Sequence, residues 1–366
     1  MKILFLGDYS GLHATLARRL RECGHEVVLV SDRGAFMQTE SDRLLSRQPG
    51  FVGSVQYLLE CLASVLHWKN FDVVQLINPN FLKLRPSKLE YFFKFLKDNN
   101  RLVCLTLAGN DYHFVKACVE SKMFRYSEFR VGCQPTSFAL NNIDREQGWL
   151  SHENQVYAEN VYHNIDAAMA VLPEYYMAAK PILKNRIFYT GIPIEINRNS
   201  VPRRFEYPLK FFVGIKSGME LQKGFDVIIP AVNRLCKRFP DKCRLDIVRD
   251  LPLDEYLYNM TKADIVLDQI YSYSPATNAL QAMAIGCLAA SGAEPEFYDF
   301  IAEKSLRPIV RLNPFIDIED EVEMLINNRE KLTNISAEGI EFVKRHNDVD
   351  LVTDRFIKSW TALMNR

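Results

Sequence analysis

Residues 264–292, DIVLDQIYSYSPATNALQAMAIGCLAASG, constrain the fold more than any other part of the chain. Residues 264–270 form a short apolar run rich in β-branched side chains, the pattern of a parallel strand covered on both faces. A polar turn follows, with Ser274 expected as an N-cap and Pro275 at the first helical position, where its missing N–H costs nothing. The helix then carries Ala276, Ala279, Leu280, Ala282, Met283 and Ala284, small enough to sit close against a sheet, and stops at Gly286. A second apolar strand closes the unit. Such a unit points a helix N-terminus, with its free N–H groups and partial positive charge, at the crevice beyond the strand's carboxyl end. It is either an ordinary βα turn or a seat for a phosphate.

The same alternation runs through the rest of the chain, which marks an α/β fold. In the first half, strands are expected at 2–6, 26–31, 71–77, 102–107, 167–172 and 186–190. Helices are expected at 13–23, 54–68 and 86–97, with loops and short helices over 112–148. Residues 191–209 are rich in proline and arginine, lack periodicity and read as a linker. The pattern then restarts with strands at 210–213 and 244–248 and helices at 225–239 and 253–262. After the opening unit come a helix at 295–303, a strand at 308–312 and a helical C-terminus. At 366 residues two domains are expected: 1–192 and 209–340, joined by 193–208, with helices 341–366 crossing back to the first. Two doubly wound Rossmann-like halves should face their strand carboxyl ends into a shared cleft.

Composition narrows the function. Lys+Arg and Asp+Glu number 45 each, so no basic surplus points to nucleic acid as a partner. No apolar run approaches the ~18–20 residues that span a bilayer. The opening MKILFLGD reads as a strand rather than a signal peptide. The eight cysteines are scattered, without a Cys-x-x-Cys pair, as reduced thiols of a cytoplasmic protein would be.

The motifs resemble, in order and over nearly the whole chain, the retaining GT-B glycosyltransferases, the glycogen synthase-like and bacterial polysaccharide and lipid-sugar transferases. Residues 2–31, with GDYSG and GHEV, look like the family's first strand, glycine-bearing loop, helix and second strand. LAGNDYH at 107–113 and YTGIPIEI at 189–196 resemble the loop and closing segment of its first domain. FFVGIKSGMELQKGFDVIIPAV at 211–232 and NALQAMAIGCLAASG at 278–292 resemble the opening and donor-binding helix of its second. The resemblance implies hexosyl transfer from a nucleotide-diphosphate sugar to a glycan or lipid-linked acceptor, in a polysaccharide biosynthesis setting. It also implies retention at the anomeric carbon by a front-face mechanism, with neither metal nor cofactor.

The family also departs from this chain at telling places. Where it has two glutamates with seven residues between them, this chain has Tyr273 and Gln281. Gln281 would hold ribose hydroxyls with a neutral bond, roughly half as strong as a charge-assisted one. Tyr273 would alter or abolish the sugar contact. The arginine before the family's Lys-Gly pair is missing, and Lys216 after Gly214 is the available substitute, as a point charge rather than a fork. These departures leave a weakened, binding-only GT-B protein as the alternative. A sugar-nucleotide epimerase on the same fold is the less favoured one, for want of a carboxylate pair.

Transfer builds negative charge on the leaving phosphate, so fixed positive charge is what the chemistry needs. Lys223 is the first candidate, Lys216 the second, and the N–H groups over 274–278, with Ser274, Thr277 and Asn278, the third. Because losing such an anion donor costs about 2.7–4 kcal/mol in other enzymes, Lys223→Ala is expected to lower turnover by about tenfold or more with folding intact. Gly7, Asp8 and Gly11 form a turn that either contacts ligand or is only tight, and His13 either joins it or merely starts a helix. The resemblance places Asn110 and Asp111 near sugar or acceptor, Asp111 as a catalytic candidate; alone, Gly-Asn-Asp is a turn. Glu294 could contact donor or sit in a surface turn. Finally, residues 83–101 hold six basic side chains and Tyr91, Phe92, Phe93 and Phe95. They either rest on anionic lipid at the inner face of a membrane or pack the aromatics on the sheet.

Overall fold

The computed structural model describes residues 1–32, 41–120 and 122–365. The chain forms two compact units: Met1–Ala117 with Asp144–Pro193 and Val349–Arg366, and Cys118–Ile143 with Ile194–Asp348. The sequence puts 118–143 in the first half, but these residues pack with the second unit; the contacts responsible are given below. The last helix, Val349–Met364, belongs to the first unit.

In the first unit the strands are β1 (Lys2–Leu6), β2 (Glu26–Asp32), β3 (Arg43–Leu45), β4 (Val73–Leu76) and β5 (Leu102–Leu107). A short antiparallel hairpin in the 118–143 segment supplies β6 (Arg130–Val131) and β7 (Gln134–Pro135). The first unit then adds β8 (Ala167–Ala170) and β9 (Ile187–Tyr189). Its sheet runs β3-β2-β1-β4-β5-β8-β9, parallel throughout, with Ile3 paired to both Val27 and Val73. β4, β5 and β8 are buried at every position, which is why they read as unbroken apolar runs. The order reverses between β1 and β4, the switch point at which such sheets bind ligands.

The second unit has β10 (Leu209–Ile215), β11 (Cys243–Arg249), β12 (Ile265–Leu267), β13 (Leu288–Ser291) and β14 (Val310–Arg311), in the parallel order β11-β10-β12-β13-β14. Its core gathers Phe211, Val213, Phe225, Ile228 and Leu235 around β10 and the Phe225–Arg238 helix. Here the switch point lies between β10 and β12, where Phe211 pairs with Ile265.

The expected strand at 264–270 ends early, at Leu267, because Asp268 turns its carboxylate into a polar cluster while its amide still bonds Ala290 O at 2.9 Å. Ser274 is not the helix cap. Pro275 favours extended backbone in the residue before it, and the helix begins only at Thr277, after extended Ala276, with no side-chain cap. Ser274 itself is fully buried, and its carbonyl accepts from Ser272 Oγ at 2.9 Å.

Candidate functional site

The strongest constellation stands at the switch point of the second sheet. Lys223 lies in the short helix Glu220–Lys223 that follows β10, and its ammonium is 2.7 Å from Asp268 Oδ1, just past the end of β12. The Asp268 side chain is completely buried, whereas that of Lys223 is 27% exposed. The remaining acceptors of Asp268 are also used: Asn278 Nδ2 donates to Oδ1 at 3.2 Å and Ser291 Oγ to Oδ2 at 3.1 Å. A carboxylate this deep would carry a large desolvation penalty without a cation and donors, so Lys223 holds it and is itself held. One ammonium has three donors, and Asp268 uses one of them. Beside the pair starts the Thr277–Ala284 helix, whose first amides and dipole add positive potential. Asp268 has no sequence signal of its own, since it reads as the polar residue of an apolar strand.

Around this core the expected residues divide. Asn278 is a bridge between Asp268 and the Tyr256 hydroxyl, which donates to its Oδ1, rather than an open ligand contact. Burial pushes the Tyr256 phenol well up, which keeps it a neutral donor. Gly214 serves the same packing: a Cβ there would lie 2.0 Å from Tyr256 Cε2. Lys216 is exposed in the loop after β10. Thr277 and Gln281 lie four residues apart on one helix face and are half-buried.

Tyr273 and Glu294 are corrected by the structure. Both are buried, at 6% and 3% exposure, and both are occupied by the 118–143 segment. The Tyr126 ring stacks on Tyr273 at 4.6 Å, the Arg125 guanidinium lies 5.3 Å from the Tyr273 ring centroid, and the Arg125 amide donates to its hydroxyl at 2.6 Å. Glu294 accepts from Tyr126 Oη at 2.9 Å, Asn313 Nδ2 at 2.6 Å and Arg125 Nη2 at 2.9 Å. Arg125 also pairs with Glu296. Further along, Gln222 Nε2, next to Lys223, donates to Glu128 Oε2 at 2.8 Å. Thus the residue standing where the family has its first glutamate anchors a strap instead of facing a sugar. Nothing local in 118–143 announces this, because the strap is held by contacts to residues 148 and 168 positions away. Tyr126→Phe removes one bond to a buried carboxylate and is expected to lower stability by about 1.5–3 kcal/mol, read by chemical denaturation.

In the first unit the candidates are mostly structural. Gly7 has φ 81° and a Cβ would meet Ile77 Cγ2 at 2.2 Å, so the turn is tight because β4's end crowds it. Asp8 Oδ1 accepts from the His13 amide at 2.8 Å and caps the Leu12–Glu22 helix, which Gly11 enters with φ 74°. His13 is not at a ligand surface: it is fully buried, and burial pushes its pKa down to about 3. Gly7 O can only accept, so Nδ1, 2.7 Å away, carries the proton and Nε2 accepts from Thr106 Oγ1 at 2.9 Å. Asp111 is 4% exposed, with Oδ1 capping the Phe114 amide at 2.8 Å and Oδ2 accepting from Tyr162 Oη at 2.6 Å. Both oxygens are taken, and it acts as a helix cap. Asn110 is half-buried, and its carbonyl accepts from Asn78 Nδ2 at 3.2 Å. Among the described residues no group of three or more His, Cys, Asp or Glu side chains could hold a metal ion.

No protein-family model and no curated protein matches the sequence. Solved structures do. Sucrose-phosphate synthase from Thermosynechococcus elongatus matches with a TM-score of 0.66 at 10% identity, over 100% of both chains. Anabaena HepE in complex with UDP and glucose gives 0.60 at 11% identity, over 99% of this chain and 100% of that one. A UDP-N-acetylglucosamine 2-epimerase from Listeria monocytogenes, so described provisionally, gives 0.56 at 11% identity, over 98% and 94%. At such identities the likeness establishes the fold, and the fold of this chain, two parallel Rossmann-like α/β units, is GT-B.

Proposed function

We propose that the protein is a glycosyltransferase that moves a hexose from a nucleotide-diphosphate sugar to a glycan or lipid-linked acceptor. The observation that carries this reading is the Lys223 ammonium, fixed by buried Asp268 at the switch point of the second sheet, beside the start of the Thr277–Ala284 helix. The bond from the anomeric carbon to the diphosphate oxygen breaks, and the new bond forms to the acceptor oxygen. The acceptor proton passes to the departing phosphate in a front-face, retaining reaction. Charge growing on that phosphate meets the two remaining Lys223 N–H donors and the helix amides, so the step as written calls for no metal. Gln281, one turn into the same helix, takes the ribose hydroxyls. HepE holding UDP and glucose supports a uridine diphosphate sugar as the first donor to try.

A binding-only protein is the second reading, and the burial of Tyr273 and Glu294 under the strap is what favours it. Incubation with UDP-, GDP- and ADP-sugars, with and without glycan and lipid-linked acceptors, separates the readings. Sugar transfer that survives EDTA, with the anomeric configuration kept in the product, is expected. Binding without turnover would establish the second reading. Conversion of UDP-N-acetylglucosamine to its C2 epimer without acceptor would replace both.

A further inference from the structure

We propose that the Gly50–Val65 helix of the first unit rests on an anionic lipid bilayer surface. The helix, GFVGSVQYLLECLASV, carries a single charged residue, Glu60. Its inner face is accounted for by Tyr57, Cys61 and Val65, which are buried against the sheet. Its outer face is apolar as well. Phe51 is 83% exposed, Val52 69%, Leu59 59% and Leu62 48%, and Leu66, just past the helix, 62%. With Val55 these residues recur at spacings of three and four, so they form one continuous stripe. A helix facing water carries charge on that face, and a contiguous apolar patch marks a surface that meets something.

The surrounding charge identifies the partner. Arg47 donates to Ser54 Oγ at 3.0 Å and to the Lys83 carbonyl at 2.9 Å, and the Lys83 amide donates to Tyr57 Oη at 3.0 Å. The Trp68 ring lies 6.4 Å from Phe92 of the Pro86–Asn99 helix. These contacts lay the 83–88 segment along the flank of the apolar helix. Arg47, Lys83, Arg85 and Lys88 are all exposed there, against three exposed acids nearby: Glu60, Glu90 and Glu153, whose Oε1 accepts from the Ser87 amide at 3.3 Å, so the balance of the patch stays positive. Aliphatic and aromatic side chains bordered by cations are what an interfacial helix presents to anionic headgroups. The basic segment could not do this alone: Phe92 and Phe93 are 4% and 2% exposed, so of its aromatics mainly Tyr91, at 73%, faces out. The apolar insertion comes from the preceding helix and the attraction from 83–88. This goes beyond the sugar-transfer reading and does not depend on it.

The test is co-sedimentation of the full chain with vesicles of phosphatidylcholine alone or mixed with phosphatidylglycerol. Binding is expected to the mixed vesicles and to weaken with added salt. Phe51→Glu and Leu59→Glu should each lower partitioning by about tenfold or more, because each places a charge in the inserted face. Exchanging Lys83, Arg85 and Lys88 for glutamine should cost about fivefold per charge removed. All these positions are exposed, so melting temperatures should stay near wild type. No sedimentation with either vesicle, equal binding to phosphatidylcholine alone, or variants that bind like wild type would each overturn the proposal. So would a soluble dimer that Phe51→Glu dissociates while vesicles go unbound.

Discussion

Lys223→Ala should destabilise the second unit by about 3 kcal/mol, and on the proposed mechanism also weaken anion stabilisation, because it strips the cation from a fully buried carboxylate. The sequence alone predicts a change confined to turnover, with folding intact. The difference is Asp268. With Lys223 gone, Asp268 keeps Asn278 and Ser291 as donors but no compensating charge. The usual loss for breaking a buried pair is about 3–5 kcal/mol, and the partial exposure of Lys223 places this case at the low end. Lys223→Met combined with Asp268→Asn removes both charges and should recover most of the stability, since an uncharged amide has no Born penalty to offset. On the proposed mechanism the double variant should nevertheless transfer sugar far more slowly than wild type, because the ammonium assigned to the departing phosphate is gone. Urea denaturation of wild type, single and double variants decides it. A Lys223→Ala protein as stable as wild type would mean that the pair does not hold the site. A double variant that transfers sugar as fast as wild type would remove Lys223 from the chemistry.

The fold was legible because parallel strands buried on both faces leave unbroken apolar runs. The run at 102–107 is strand β5 as observed, and the 264–292 unit is present as strand, helix and strand. The position of Lys223 was legible through the resemblance of residues 211–232 to the opening of a GT-B second domain, and its part in sugar transfer is the proposal made above. Asp268, Tyr126 and Arg125 were not, because their roles exist only through partners far away in sequence. Asp268 binds a lysine 45 positions back, and Arg125 meets a glutamate 169 positions on. Tyr273 shows the limit most sharply. A tyrosine at an expected sugar-contact position differs little on paper from one stacked under a strap. Only the ring of Tyr126 against it tells them apart.

Between pH 7 and pH 5 the wild-type first unit should lose about 2 kcal/mol of stability through His13 alone, a loss that should reach about 4 kcal/mol near pH 3. The unfolded imidazole titrates at 6.5, whereas burial holds the folded one down to about 3. Above 6.5 both states are neutral and the full stability is present. Below it the unfolded chain takes up a proton that the folded chain refuses, so stability falls through the window from 6.5 to about 3. The refusal has a structural cause. Trp360 Nε1 donates to Gln75 Oε1 at 3.0 Å, Gln75 Nε2 to Thr106 Oγ1 at 2.9 Å, and the Thr106 hydroxyl to His13 Nε2. A proton on Nε2 would turn an acceptor into a donor facing that hydroxyl and break the sequence of donors running from the last helix to Gly7. His13→Leu removes the titrating group at a cost of about 1–3 kcal/mol at pH 7, from the partners left unpaired. Its stability should then decline less steeply than that of wild type on acidification, so that the two curves converge. Parallel curves, measured by urea denaturation at pH 7, 6 and 5, would show that His13 takes up its proton in the folded state as readily as in the unfolded one.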